Sequence, residues 1–116
     1  MLPFINRLKR KKDFDNLFKK GLGYREDFLY LKVAKNNLGI TRFGFIVGKK
    51  FSSKATIRNK IKRRLREIIR KKLNYIQKGV DGVFIVMPGF KANNFLEIEQ
   101  KMDKLLKKAR IIQKDG

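Results

Sequence analysis

The chain has 116 residues, ten phenylalanines, no tryptophan, no cysteine and no histidine; 31 Lys+Arg against 10 Asp+Glu leave a net charge of +21. Without cysteine or histidine there is no disulfide framework, no thiolate or imidazole metal site, and no Cys–His or Ser–His nucleophile. A charge this large exceeds what solubility asks for and points to a polyanion, nucleic acid before an acidic membrane surface.

The start, MLPFINRLKRKK, lacks an apolar core of signal-peptide length. The longest apolar run, Val83 to Met87, is far too short to span a bilayer. These features predict a cytoplasmic protein of one domain, residues 1–116, whose two basic ends fray. DFDNLFKKG, from Asp13, predicts a short helix: Phe14, Leu17 and Phe18 share a face, Asp13 caps the start, and Gly21 stops it. DFLYLKVAKN alternates, with Leu29, Leu31 and Val33 on a core face and Phe28, Tyr30 and Lys32 on an aromatic-basic face. After the turn signal Asn36–Gly39, TRFGFIVGKK predicts a second strand with Phe43, Phe45 and Val47 inward. Gly44 and Gly48 leave its other face low enough for a group to approach closely. A further strand is expected near Phe51, although the pattern there is ambiguous.

From Thr56 to about Ile76 the period becomes helical, with Ile57, Ile61, Leu65, Ile68, Ile69 and Leu73 in one apolar stripe. VDGVFIVMPG is apolar on both faces and predicts a central, covered strand ended by Pro88-Gly89. NNFLEIEQKMDKLLKKARII, residues 93–112, predicts the last helix, with Asn94 and Glu97 as a capping box. Its buried face would be Phe95, Ile98, Met102, Leu105, Leu106 and Ala109. The order describes an α+β sandwich.

The long helix carries the chemistry. Arg58, Lys62, Arg66 and Arg70 form a ridge at i, i+4 spacing, widened by Asn59 and Arg63; Lys60, Arg64 and Lys71 lie on the opposite flank. Each like-charge pair costs roughly 0.2–0.5 kcal/mol, against roughly 1.5–3 kcal/mol for burying each isoleucine. The helix therefore forms despite its charge, and the charge suits phosphates, which arginine binds bidentately. A basic run is ordinarily a solvated face; this one is long, nearly acid-free and set in a chain of +21. Aromatics beside basic residues on a sheet face suit single-stranded RNA, whose bases stack. Phe14 and Phe18 fit a core role as well as an exposed one, whereas the hydroxyl of Tyr30 favours a wet surface. The acids are scattered, and Asp13 and Asp15, two apart on a helix, point away from each other. No catalytic or metal-binding constellation is therefore expected in the chain.

Three segments, in order, resemble the protein component of bacterial ribonuclease P. They are LKRKKDFDNLFKKG, the strand RFGFIVGKK, and KKFSSKATIRNKIKRRLREIIR from Lys49, in which Ala55, Arg58, Asn59, Lys62, Arg63 and Arg66 match an arginine-rich signature. Lys60 stands where that signature ends in arginine, keeping the charge and losing the fork. The resemblance implies a two-layer α/β sandwich in the order αβββαβα with a left-handed βαβ crossover. It implies a protein subunit assisting endonucleolytic removal of the precursor tRNA 5′ leader, with the bond breaking and Mg2+ belonging to the catalytic RNA. Lys49, Lys50, Lys54, Arg58, Asn59, Lys60, Lys62, Arg63, Arg66 and Arg70 would contact RNA; Phe14, Phe18, Phe28, Tyr30 and Lys32 would line the leader cleft. The expected partners are the catalytic RNA and precursor tRNA, with no membrane and no obligate protein. The alternative reading is a structural RNA-binding protein, such as a ribosomal protein; a stand-alone nuclease fits poorly.

Overall fold

A computed structural model describes residues 2–91 and 94–112. In chain order it contains α1 (Lys11–Lys20), β1 (Leu22–Glu26), β2 (Leu29–Lys35), β3 (Arg42–Val47), α2 (Ala55–Lys72), β4 (Val80–Val86) and α3 (Phe95–Lys108). The four strands form one sheet in the order β1-β2-β4-β3. β2 pairs antiparallel with both β1 and β4, and β3 runs parallel to β4. The α+β sandwich and its αβββαβα order are therefore present, with α2 as the crossover between two neighbouring parallel strands.

Alternation divides the sheet. Leu29, Leu31, Val33, Phe43, Phe45, Val47, Phe84 and Val86 point to one face. There they meet Ile61, Leu65, Ile68 and Ile69 of α2 and Ile98, Met102, Leu105 and Leu106 of α3 in the main core. Phe84 stacks between Phe43 and Phe45, ring centroids 5.8 and 6.1 Å away. On the opposite face α1 lays Leu17 beside Leu8 and Val83, forming a smaller apolar cluster that covers part of the sheet. Apolar residues on both faces of β4 thus match its central position, as its sequence predicted.

Several elements differ from expectation. The additional strand is β1, not a segment at Phe51, which lies in the turn after β3 and donates its N–H to Gly48 O. LGYRE has little apolar alternation, and its hairpin to β2 turns through Asp27 in the left-handed region (φ 52°) without the Asn-Gly or Gly-X pair that marks such turns. Phe28 consequently sits in that turn, outside β2. α1 begins at Lys11 with Arg10 at the N-cap position, so Asp13 does not cap it. The carboxylate is instead 3.3 Å from Arg42 Nη1. Ile57, at the first turn of α2, is exposed. α3 starts where predicted, Asn94 Oδ1 accepting from the N–H groups of Leu96 and Glu97, while Asn93 lies outside the described residues. The helix stops short of Ile112 because Arg110 turns left-handed (φ 57°). Arg110 N then donates to Lys107 O and Ile111 N to Leu106 O, the paired bonds of a Schellman ending.

The amino-terminal segment is docked, contrary to the expected fraying. Leu2 is fully buried in the main core. Arg7 forms a parallel bridge to Phe43, Leu8 N donates to Phe43 O (2.9 Å) and Asn6 Nδ2 donates to Thr41 O (2.8 Å). The arm thereby closes the outer edge of β3. Residues 113–116, where the other fraying end was expected, lie outside the described residues.

Candidate RNA-binding surfaces

α2 presents the first surface. Its buried stripe holds one side on the sheet, leaving Asn59, Lys60, Arg63 and Arg70 exposed and Lys62 and Arg66 half-buried along its flank. Lys49, Lys50 and Lys54 are exposed in the segment leading into it. The first turn holds no acid and no side-chain cap, so the positive end of the helix dipole adds to these lysines.

The ten sequence-predicted contacts are not equivalent. Arg58 is half-buried and donates from Nη1 to Ser52 O (2.9 Å), so it holds the preceding turn as well as facing the ridge. Arg70 is paired with Glu67, the one acid of α2, its Nε 2.9 Å from Oε1. That pairing pushes the Glu67 carboxyl below and the Arg70 guanidinium above their ordinary pKa values. Partial desolvation, and secondarily the charge of Arg7, lower the pKa of Arg66. The arm therefore carries its own positive charge up to the flank of α2. On the other flank Lys71 stands over the Phe95 ring, and Lys72 is bound to Glu99 and Asp103 of α3.

The second surface is the sheet face that α1 only partly covers. Strand register puts Arg25, Tyr30, Ile85 and Ile46 in one row across it, and Gly23, Lys32, Val83 and Gly44 in the next. Phe14 fills the hollow above Gly44: a β-carbon there would stand 2.5 Å from two ring atoms. This is the close approach that the glycine predicted. Phe14 is half-buried, part of the small cluster, whereas Phe18 is exposed at the end of α1. Lys32 donates to Phe18 O (2.6 Å) and lies 5.8 Å from that ring, a cation on the carboxy-terminal end of the helix. Tyr30 is half-buried and leans toward β1, its hydroxyl over Gly23. Phe28 is exposed at the end of the sheet, against Gly89, which has φ 100°.

The structure thus brings Phe18, Tyr30 and Lys32 together on the open part of this face, makes Phe14 its wall, and sets Phe28 apart in the hairpin turn. Ile46 and Ile85, half-buried in the row beside Tyr30, complete the floor. The alternation of β3 and β4 could have located them. Arg25, exposed at the end of the same row, became visible only once β1 was known.

Among the described residues, no three Asp or Glu side chains gather as metal ligands would. The most enclosed carboxylate, Asp81, is held by Arg42 through Nε–Oδ1 (2.9 Å) and Nη2–Oδ2 (2.7 Å) and also accepts from Asn36. That bond, outweighing the cost of burial, raises the Arg42 pKa.

The sequence model of the family Ribonuclease P matches residues 2–110. A ribonuclease P protein component of Pseudanabaena sp. is 37% identical over 113 residues, covering 97% of each chain. That of Thermotoga petrophila is 38% identical, covering 88% of this chain and 90% of its own. Among solved structures, the RNase P protein of Staphylococcus aureus superposes with a TM-score of 0.84 at 28% identity, covering 93% of this chain and 98% of that one. The RNase P protein of Thermotoga maritima gives 0.79 at 36% identity, over 88% and 96%. A basic helix packed on a four-stranded sheet, an aromatic-basic face behind it, and likeness along almost the whole length agree: the chain belongs to the family of ribonuclease P protein components.

Proposed function

We propose that this ribonuclease P protein subunit binds the catalytic RNA through α2 and the lysines before it, and receives the 5′ leader of precursor tRNA on the face between α1 and the sheet. The observation that carries the reading is two separate RNA-suited surfaces on one small sheet. One is guanidinium-rich; the other sets Tyr30, Phe18 and Lys32 beside the aliphatic Ile46 and Ile85. The guanidinium-rich surface matches phosphate oxygens, which position without reading sequence. The aromatic-basic one offers stacking to unpaired bases of any identity.

Hydrolysis itself belongs to the RNA and to Mg2+ held there. This reading is supported by residue chemistry: the chain has no histidine or cysteine, and its buried or half-buried acids Asp13, Glu26, Glu67, Asp81, Glu99 and Asp103 are each paired with an arginine or a lysine. The protein's part is to reduce phosphate repulsion between catalytic RNA and substrate and to hold the leader in register, which lowers the Mg2+ the complex needs. Working on these RNAs places it in the cytoplasm; no helix among the described residues is long and apolar enough to cross a membrane.

The test is leader cleavage by the cognate catalytic RNA at low Mg2+, with and without the protein. Strong stimulation is expected. An unchanged rate with protein folded and bound would favour a purely structural RNA-binding role.

A further inference from the structure

Phe4 lies outside both surfaces. Its ring is 77% exposed, the most of any large apolar side chain described, and Ile5 beside it is 59% exposed. A lone exposed apolar residue on a loose tail would call for no explanation. Here the segment is fixed. Phe4–Asn6 is one turn of 3-10 helix, with Asn6 N donating to Pro3 O and Arg7 N to Phe4 O. Leu2 is anchored in the main core on one side and Leu8 in the small cluster on the other. Arg7 Nε donates to Leu2 O (2.9 Å), tying the two ends of the turn together. The aromatic ring is thus held out from the sheet edge by a rigid mount.

Its surroundings are cationic. The ammonium of Lys9 stands over one face of the Phe4 ring. Arg7 lies close enough to both Lys9 and Arg66 that its charge, after the larger effect of desolvation, lowers the pKa of each. Arg7 is bridged to Phe43 on the outer edge of β3, whose inner face packs against α2, so it stands between the α2 flank and Lys9, with the exposed Arg10 following. No acid occurs between Met1 and Lys12. A flat apolar ring flanked by phosphate-binding groups offers a nucleobase one stacking surface and its phosphates two or three cations.

We propose that Phe4 is a stacking platform for one unpaired nucleobase of the ribonuclease P RNA, with Lys9 and Arg66 on the adjoining phosphates. The RNA subunit is the source, and not the precursor leader, because the cationic path joins Phe4 to α2. This inference rests on the assignment of α2 to that RNA.

The test measures dissociation constants of full-length variants for the ribonuclease P RNA over a salt series. Phe4→Ala is expected to bind about 5- to 150-fold more weakly. Its salt slope should be unchanged, because no charge is removed. Phe4→Tyr should bind like the parent and Phe4→Leu like Phe4→Ala. Thermal melts of all three should match the parent, since the ring is exposed. Parent-like binding by Phe4→Ala or Phe4→Leu overturns the proposal, as does a reduced salt slope, which would make the ring only a support for Lys9. A loss seen solely with leader-bearing precursor tRNA also overturns it. Lys62→Ala and Arg63→Ala separate the two readings. If they weaken binding while Phe4→Ala does not, the stack alone fails; if they too leave binding unchanged, the assignment of α2 fails with it.

Discussion

At the scale of single residues, two positions tie packing to the sheet face proposed to receive the leader. Gly44 is required because Phe14 rests on it, so Gly44→Ala should displace the ring and cost about 1–3 kcal/mol in urea unfolding. Combined with Phe14→Ala, the two losses should fail to add by at least about 0.5 kcal/mol, because the clash disappears with the ring. Tyr30 makes a different demand. If a leader base stacks there, Tyr30→Ala should weaken leader-bearing precursor by about 1–3 kcal/mol and leave mature tRNA unchanged. Competition binding with both RNAs reads this directly, and equal losses would remove Tyr30 from the leader site. Both residues were legible, Gly44 as a low point in a strand and Tyr30 as an aromatic opposite a core face. The pairing of Asp13 with Arg42 was not. Side chains 29 residues apart meet only through sheet register and the docking of α1, which local spacing does not encode.

At the scale of elements, helices announced themselves through apolar period, and β4 through its double-faced apolarity. β1 did not, because an edge strand with Gly23 and Arg25 on its outer face obtains its order from pairing with β2 and not from its own pattern. The contact between α2 and α3 likewise depends on a long-range match: Lys72 Nζ lies 3.1 Å from Glu99 and 2.9 Å from Asp103. Burial alone would lower the Lys72 pKa, but the hydrogen bonds and charges of Asp103 and Glu99 together outweigh it and raise the value above 10.5. A raised folded pKa stabilises fully below the unfolded value and loses its effect as pH rises through the folded one. Lys72→Met keeps the aliphatic stem and should destabilise by about 1 kcal/mol near neutral pH. The gap between variant and parent should close as pH rises through the raised folded pKa of Lys72, with paired thermal melts from neutral into the alkaline range as the check.

At the scale of the whole molecule, the surplus of charge is uncompensated by design of the pairs. Glu26, Asp27, Asp81, Glu99 and Asp103 each bind a cation of a neighbouring element, so they stitch the fold and do not screen the outer face of α2. A compact chain of +21 repels itself, and multivalent anions that bind only the folded array should stabilise it. Phosphate or sulfate should therefore raise the melting temperature by several degrees beyond sodium chloride of equal ionic strength. An identical rise in chloride would reduce the effect to general screening. Net charge made the surplus visible from composition and helical period located the ridge of α2; which acids pair across elements needed the fold.

The strand order has a consequence for synthesis. β4 is the last strand to leave the ribosome, yet it is the neighbour of both β2 and β3. Until Val86 has emerged, β3 has only the Arg7–Leu8 segment beside it, and the apolar stripe of α2 faces an unfinished sheet. Closure is thus a late, non-local event whose rate is set by bringing distant segments together. During that interval the nascent chain is a strongly cationic, partly apolar polymer in a compartment full of RNA, and its charge both keeps copies apart and exposes it to the wrong polyanion.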